Sequence, residues 1–564
     1  MSLLGVLVVM VIVLAGGYWG YGAWVAKQLA LDPNVTTPAV THEDGVDYVP
    51  TRPFYLLGQH FSAIAAAGPI AGPILACQQF GWLPCLLWIG FGVVFIGAVH
   101  DMATLVASMR HDARSIAEVV RQHIGRRAWI AIMAFIWVAL IYVIVAFTSI
   151  TATTFVSGDA DMAGLAFRYN PGGAVAMASV LYLALALTMG LVEKFIKPPL
   201  WLQTIIFVPA TLASVYAGTR LSTVLVSDAR TWAIIILAYC FVASLTPVWA
   251  LLQPRGYLGG FVLYLAIAVG LVGVLFGGYE IQQPAFTAWS APGAGFIFPF
   301  LFVTIACGAC SGFHGLVCSG TTSKQIAKEP HAKAVGYGAM LLEGLVAVLA
   351  LGTIMIVSKA SIAGKAPGAI YGAGLGQFLT VIIGKKHLAF ATTFGAMAFS
   401  TFIFDTLDVS TRLGRYVIEE LFGLKGKTGA IAGTAATTLV PLAFVLYAGA
   451  KSYLLFWTLF GTSNQLLAAL SLLAISVWLK RAGRRYMYTL IPTGFILTIT
   501  VTSLVLQIKT AIGGKVPGAA MNGIVSGLLL LLAGAMLIMG ARALVSPAPA
   551  PPTPPARPGD VVPA

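Results

Sequence analysis

Apolar residues fall in long runs along this chain, not in the alternation of a half-buried strand or the one-sided spacing of a soluble helix. Runs near or above the roughly 20 residues that cross a bilayer as a helix recur from end to end. They occupy residues 3–24, 54–79, 83–109, 128–156, 173–191, 199–217, 232–252, 257–277, 297–324, 335–357, 387–409, 429–447, 454–478, 489–507 and 522–543. The pattern predicts an all-α polytopic membrane protein with about fifteen transmembrane helices. The first run lacks a basic start and a small-residue cleavage site, so it reads as a helix and not as a signal peptide. A polar link follows it at 25–53. A basic stretch, 110–127, gathers Ile116, Val119, Val120 and Ile124 on one side and is expected to lie along the membrane surface. Residues 361–379, rich in Gly and Ala, read as a loop with a short helix. The chain thus divides into an N-terminal helix and link (1–53), a core (54–480), C-terminal helices (481–545) and a Pro-rich tail (546–564) without core-forming content.

Two runs carry residues that break a helix. Gly68, Pro69, Ile70, Ala71, Gly72 and Pro73 put two Gly-Pro steps inside one span, and each proline removes a backbone donor and clashes with the preceding turn. Between 297 and 324, glycine recurs at Gly308, Gly312, Gly315 and Gly320, among Ser311, His314, Ser319, Thr321 and Thr322. Glycine weakens a helix and admits close neighbours. Backbone freed at membrane depth survives only inside protein or beside a watery cavity. A packing kink is the plain alternative at each place. By span count the two broken helices run in opposite directions, as an inverted-repeat transporter requires, with half-helix ends meeting around a shared hollow near the midplane. Helix N-termini there suit a carboxylate. The substrate-binding candidates are therefore Gly68, Pro69, Ala71 and Gly72 on the first break, and Thr304, Gly308, Ser311, Gly312 and His314 on the second.

Composition removes other classes. The chain is 59% hydrophobic and 9% charged, against about 25% charged in soluble domains. Its net charge of +14 does not imply nucleic acid, because Lys and Arg sit in short loops as the positive-inside rule requires. Residues 110–127, Lys194, Lys197, Arg255, Lys324, Lys328, Lys333, Arg412, Arg415, Lys425, Lys427, Lys480, Arg481, Arg484 and Arg485 fall on one side, the expected cytoplasmic one, while Asp159, Asp161, Asp228 and Glu280 fall on the other. Lys359, Lys365, Lys385 and Lys386 run against the rule. An outside N-terminus and an inside C-terminus follow. The six cysteines lie in or beside apolar segments and form no secreted disulfide framework. Cys307, Cys310, His314 and Cys318 would stretch over ~16 Å of helix, too far to enclose one tetrahedral ion, so no metal is expected. No P-loop is present, no cofactor motif is legible, and no nucleophile stands at recognisable spacing from a base. These absences argue against an enzyme, although Cys–His and His–Asp pairs keep an intramembrane enzyme as the rival class, with a channel or nutrient sensor as a third.

Ionisable groups inside spans are costly and are usually functional or paired. His60, His100, Asp101, Asp405, Asp408 and Arg412 are the candidates for coupling or gating. Asp405, Asp408 and Arg412 are three or four residues apart and share a helical face, so an intrahelical ion pair is the plain alternative. Glu343 stands alone in its span and could partner a basic residue. Asn464 and Gln465 offer amides inside a span, where helix-to-helix glue is the plain reading.

The segments RPFYLLGQHFSAIAAAGPIAGPILA, GAVHDMATLVASMR, PFLFVTIACGACSGFHGLVCSGTTSK, FDTLDVSTRLGRY and FGTSNQLLAAL together resemble the carbon starvation protein A family, over about residues 52–478. The resemblance implies a bacterial inner-membrane transporter linked to peptide uptake during carbon starvation and, in some members, to pyruvate uptake. It also implies a fold similar to the amino acid–polyamine–organocation superfamily, a LeuT-like core with two broken helices. The partners expected are a peptide or small carboxylate, a coupling ion (a proton, with sodium as the alternative) and the lipid bilayer. Glycine follows Arg255 where the family commonly carries an acid, so the resemblance supplies no partner for that arginine.

Overall fold

The computed structural model describes residues 2–546 apart from 46, 157–166, 292–294, 449–452 and 514–517. The Pro-rich tail from 547 onward and the loop with Asp159 and Asp161 lie outside the described residues. The helices that matter here are α1 (Leu3–Leu29), α2 (Pro53–Ile64), α3 (Gly68–Phe80), α4 (Trp82–Met109), α5 (Ile116–His123), α6 (Arg126–Phe155), α7 (Pro171–Phe195), α8 (Leu200–Arg220), α9 (Ala229–Leu245), α10 (Leu252–Phe276), α11 (Ile297–Thr304), α12 (Gly312–Gly320), α13 (Lys333–Met355), α14 (Pro367–Ile383), α15 (Leu388–Phe422), α16 (Gly426–Ala448), α17 (Tyr453–Arg481), α18 (Met487–Ile512) and α19 (Ala519–Val545). Among the described residues, 12 helices are long and apolar enough to span a membrane, or 13 if the bent pair α2/α3 counts as one. The two remaining expected runs are the shorter helix α9 and the pair α11/α12.

The first break has a simple cause. Helix α2 ends at Ile64 and α3 starts at Gly68, with a 47° bend between them. Pro69 falls in the first turn of α3, where a missing N–H costs nothing, so the sequence starts a new helix there. The second break is longer: α11 ends at Thr304 and α12 begins at Gly312. Both pairs occur where Gly and Pro predicted them, and they run antiparallel. The N-terminal half α2 lies beside the end of α12, where His60 meets Thr322. The far end of α3 meets the chain leading into α11, where Thr287 N–H donates to Phe80 O. Helix α17, wholly buried over its most apolar window, passes the second break.

Two expectations need correction. Residues 361–379 are not mainly loop, because α14 is a full 17-residue helix. Gly368, Gly372 and Gly376 recur every fourth residue and give it a flat face against α15. A Cβ on Gly372 would lie 2.7 Å from that of Ala396, and one on Gly376 2.9 Å from the backbone N of Thr392. The low helix propensity of glycine hid this packing role. Nor does the basic stretch rest on lipid. Its α5 is short, and Ile116, Val119 and Val120 are buried against protein. The Ile116 N–H donates to Ser319 Oγ in α12 at 3.1 Å.

The polar link becomes a strap. Thr36 bridges to Lys328 and Thr51 to Ile326. Thr37 Oγ1 donates to Ile326 O at 2.5 Å, the Val49 N–H to Lys324 O at 3.2 Å, and the Lys324 ammonium pairs with Asp47 at 3.2 Å. The chain entering the first broken helix is thereby laced to the chain leaving the second.

Candidate functional site

The two breaks touch. A Cβ on Gly72 would stand 2.6 Å from Thr304 O, and one on Gly68 2.4 Å from Cys307 Sγ. Gly308 faces Pro69, its Cβ position 3.5 Å from the Pro69 Cα. Glycine at 72 lets the two backbones meet, and glycine at 68 makes room for the Cys307 side chain. The expected open hollow between Gly68, Pro69, Ala71, Gly72 and Thr304–Gly308 is closed in this conformation, with the breaks in contact. Gly312 also departs from expectation. It packs on α17, where a Cβ would fall 2.5 Å from Asn464 O, and does not face the first break.

Backbone freed at the second break finds side-chain partners, as its burial demands. Trp88 Nε1 donates to Phe302 O and Ile305 O, both at 3.2 Å. Trp457 Nε1 donates to Thr304 O at 3.0 Å and Gln465 Nε2 to Phe302 O at 2.9 Å. The Phe313 N–H, at the start of α12, donates to Asn464 Oδ1 at 2.9 Å, while Asn464 Nδ2 donates to Ser311 Oγ at 3.0 Å. Asn464 and Gln465 are therefore the keepers of the break as well as glue between helices.

Beside the breaks lies a buried chain of acids and imidazoles from three helices. His100 Nδ1 is 2.8 Å from Asp101 Oδ1 on α4. Asp101 Oδ2 is 2.8 Å from His314 Nδ1 on α12. His314 Nε2 is 3.1 Å from Glu343 Oε2 on α13; this contact is out of line for a hydrogen bond, and neither Glu343 oxygen has a hydrogen-bond donor among the described residues. All four side chains are 1% exposed or less. Gly315 leaves room for the His100 ring, 3.2 Å from where its Cβ would be. Two π-type turns flank the cluster, Val93–Gly97 before His100 and Lys333–Gly338 before Glu343. Tyr337 O–H in the second donates to Val94 O in the first at 2.8 Å, and such turns often mark functional sites. His60 sits apart, its Nδ1 2.8 Å from Thr322 Oγ1, joining α2 to the end of α12.

A second buried cluster corrects the reading of Arg255 as a cytoplasmic loop charge, since it lies buried inside α10. Arg255 on α10 is fully buried and pairs with both Asp405 and Asp408 of α15. Its Nη2 lies 2.6 Å from Asp405 Oδ1, and its Nη1 contacts Asp408 Oδ2. Tyr239 O–H donates to Asp408 Oδ2 at 2.8 Å, and Tyr182 O–H to Arg255 O at 2.7 Å. The missing local acid after Arg255 is thus replaced by two from another helix. The expected face shared by Asp405, Asp408 and Arg412 does not form an ion pair with Arg412. That guanidinium donates to the carbonyls of Ala243 and Thr246 at 2.9 and 2.7 Å, capping the end of α9, where a cation suits the helix dipole. The sequence signal was weak, because Arg255 falls between the apolar runs 232–252 and 257–277, and only the structure shows that the second helix begins at Leu252 and takes Arg255 inside it.

Outside the spans, Arg110 grips Glu329 through Nε and Nη2 at 2.9 and 2.8 Å. Burial pushes the Glu329 carboxyl up, but the Arg110 hydrogen bonds, the Asp32 N–H and the charges of Arg110 and Arg484 together hold the group below its ordinary range. His111 Nδ1 donates to Ala107 O at 2.6 Å, which leaves its Nε2 to accept from His123 Nε2 at 2.8 Å. Burial first, then the neighbouring His111 and Arg481, lower His123 to about 4.

The sequence model described as Carbon starvation protein CstA matches residues 2–371 and 353–503. The chain is 33% identical to the peptide transporter CstA of Bacillus subtilis, covering 96% of each chain. The chain belongs to the CstA family. It is also 34% identical to the peptide transporter CstA of Campylobacter jejuni, over 86% of this chain and 77% of the relative. The pyruvate/proton symporter BtsT of Escherichia coli is 31% identical, over 90% and 82%. Among solved structures, MhsT in complex with L-phenylalanine aligns over 86% of this chain and 98% of its own, at 14% identity and a TM-score of 0.44. As a CstA family member with this set of apolar helices, the protein is a multi-pass protein of the bacterial inner membrane, and its relatives are transporters.

Proposed function

We propose that this chain is a secondary importer of peptides or small carboxylates such as pyruvate, driven by the proton gradient and serving the carbon-starved cell. Names of its relatives supply both solute classes, and the proton symporter among them supports the ion. The observation that carries the reading is His314 held between two carboxylates from different helices. A neutral imidazole has one N–H, yet both ring nitrogens of His314 face carboxylate oxygens. The hydrogen bond to Asp101 uses one proton, and the off-line contact to Glu343 is attractive only while the other ring nitrogen or the Glu343 carboxyl carries a second, so the trio keeps both contacts only with two exchangeable protons. Removing one sets a lone pair against a carboxylate and breaks a contact from α12 to α4 or to α13. Proton occupancy thereby biases the position of the second broken helix, which is what coupling requires.

Solute would enter where the breaks now touch, once they part. The amides of Gly68 and Ser311, with Thr304 and His314, remain the proposed contacts. The Arg255, Asp405 and Asp408 cluster ties α10 to α15, and His60 ties α2 to Thr322; both are proposed gating contacts.

The test is transport by purified protein in proteoliposomes. An inward proton gradient should drive pyruvate or dipeptide above equilibrium without sodium. Asp101→Asn should cut that accumulation by about tenfold or more while reducing counterflow much less, since an uncoupled carrier still exchanges. Sodium-dependent accumulation indifferent to pH would reject the proton, and product formed without accumulation would point to an enzyme.

A further inference from the structure

Glu343 differs from the other acids of the buried chain. Asp101 has a partner on each oxygen, His100 on Oδ1 and His314 on Oδ2. Glu343 is fully buried on α13, and among the described residues no group donates to its Oε1. Burying a carboxylate without donors costs several kcal/mol, and an orphan of this kind calls for an explanation. Its place supplies one. Ala347, one turn along the same face of α13, meets Gly308, whose Cβ position is 2.9 Å from the Ala347 Cβ. Gly308 in turn faces Pro69 across the point where the breaks touch. One helical turn is about 5.4 Å of axial rise, so Glu343 stands one turn along α13 from Ala347, which packs on the contact that must part to admit solute.

The groups that could neutralise it from within the protein are committed elsewhere. Arg255 is held by Asp405 and Asp408, and His314 also serves Asp101. What Oε1 lacks is a donor, and a cation from outside can supply one. A free peptide carries one: its terminal ammonium has a positive charge and three donors. Pyruvate has no such group.

We infer that Glu343 receives the terminal ammonium of a peptide substrate and so distinguishes peptides from small carboxylates at the same site. The inference rests on the importer reading and names the residue that selects within it. When a peptide binds, its ammonium donates to the free Oε1 of Glu343; when pyruvate binds, that oxygen stays without a donor.

Counterflow in proteoliposomes at equal pH on both sides tests this with three solutes: alanyl-alanine, N-acetyl-alanyl-alanine and pyruvate. In the unaltered protein the acetylated peptide should exchange at least roughly thirtyfold more slowly than the free one, the scale of losing a buried charge pair. Glu343→Gln should lower the ratio of dipeptide to pyruvate exchange by about tenfold or more. Acetylated and free dipeptide exchanging alike would overturn the assignment, and that arm needs no variant to fold. A ratio unchanged in Glu343→Gln, including equal loss of both solutes, would overturn it too. Unaltered protein that exchanges pyruvate but no dipeptide would remove the assignment and leave the importer reading intact; exchange of neither solute would remove both.

Discussion

At the scale of single residues, the site depends on side chains that stand in for lost helical hydrogen bonds. Asn464 is the plainest case, since one amide group serves the Phe313 N–H and Ser311 together. Asn464→Leu keeps the bulk and removes both partners. It should destabilise the protein by about 1–3 kcal/mol, the cost of a buried donor left unmade, and thermal unfolding in detergent would read this as a lowered midpoint. An unchanged midpoint would mean that the break has other support. Much of this level was legible beforehand. Gly68, Gly72 and Gly308 were recognisable because a helix has no use for them at that density, and His100, Asp101 and His314 because charge is dear in lipid. What the sequence could not reveal was pairing. Arg255 finds Asp405 and Asp408 across 150 and 153 residues of chain, and no local spacing encodes a contact of that range. Arg412 misled for the same reason: its i, i+4 neighbour was close, but the carbonyls of α9 were better placed.

Helices and their connections obey a different limit. Fifteen runs were countable because length and apolarity define a span, and the two breaks followed from Gly and Pro. Helix α14 was misread because glycine lowers propensity, while its packing value appears only once α15 is beside it. The same blindness applied to α5, whose apolar side could have faced lipid or protein. That helix carries a pH prediction. His123 is held neutral, with its value lowered from 6.5 to about 4. A depressed histidine contributes stability that is present above its unfolded pKa and lost as pH falls toward the folded one. Hydrogen exchange in residues 116–123, corrected for intrinsic rates, should therefore quicken as pH drops from about 6.5 toward about 4. His123→Gln should flatten that dependence. Protection that stays constant over the range in unaltered protein would refute the role given to the pair.

For the molecule as a whole, the arrangement is one of closure. The breaks touch, and the strap laces the chain before α2 to the chain after α12. The proposed transport, if it parts α2 from α12 at that end, needs the strap to yield. Cysteines placed by Thr36→Cys and Lys328→Cys, at a bridged pair, should cross-link under oxidation. The oxidised protein should lose counterflow, and reduction should restore it. Full activity with the cross-link formed would show that this end does not open there. No feature of sequence announced the strap, because its strands are isolated rungs too short to leave a pattern.

The strap has a consequence for rate. Its rungs are separate, each worth only about 0.5–1.5 kcal/mol net, and they lie in sequence along the chain. They come from two segments of the link, 36–37 and 47–51, on one stretch of chain, 324–328, so each can open by itself, with water taking up the bond as it is released. No single large barrier has to be crossed at once for the link to let go, and thermal motion can remake each bond as readily as it breaks it.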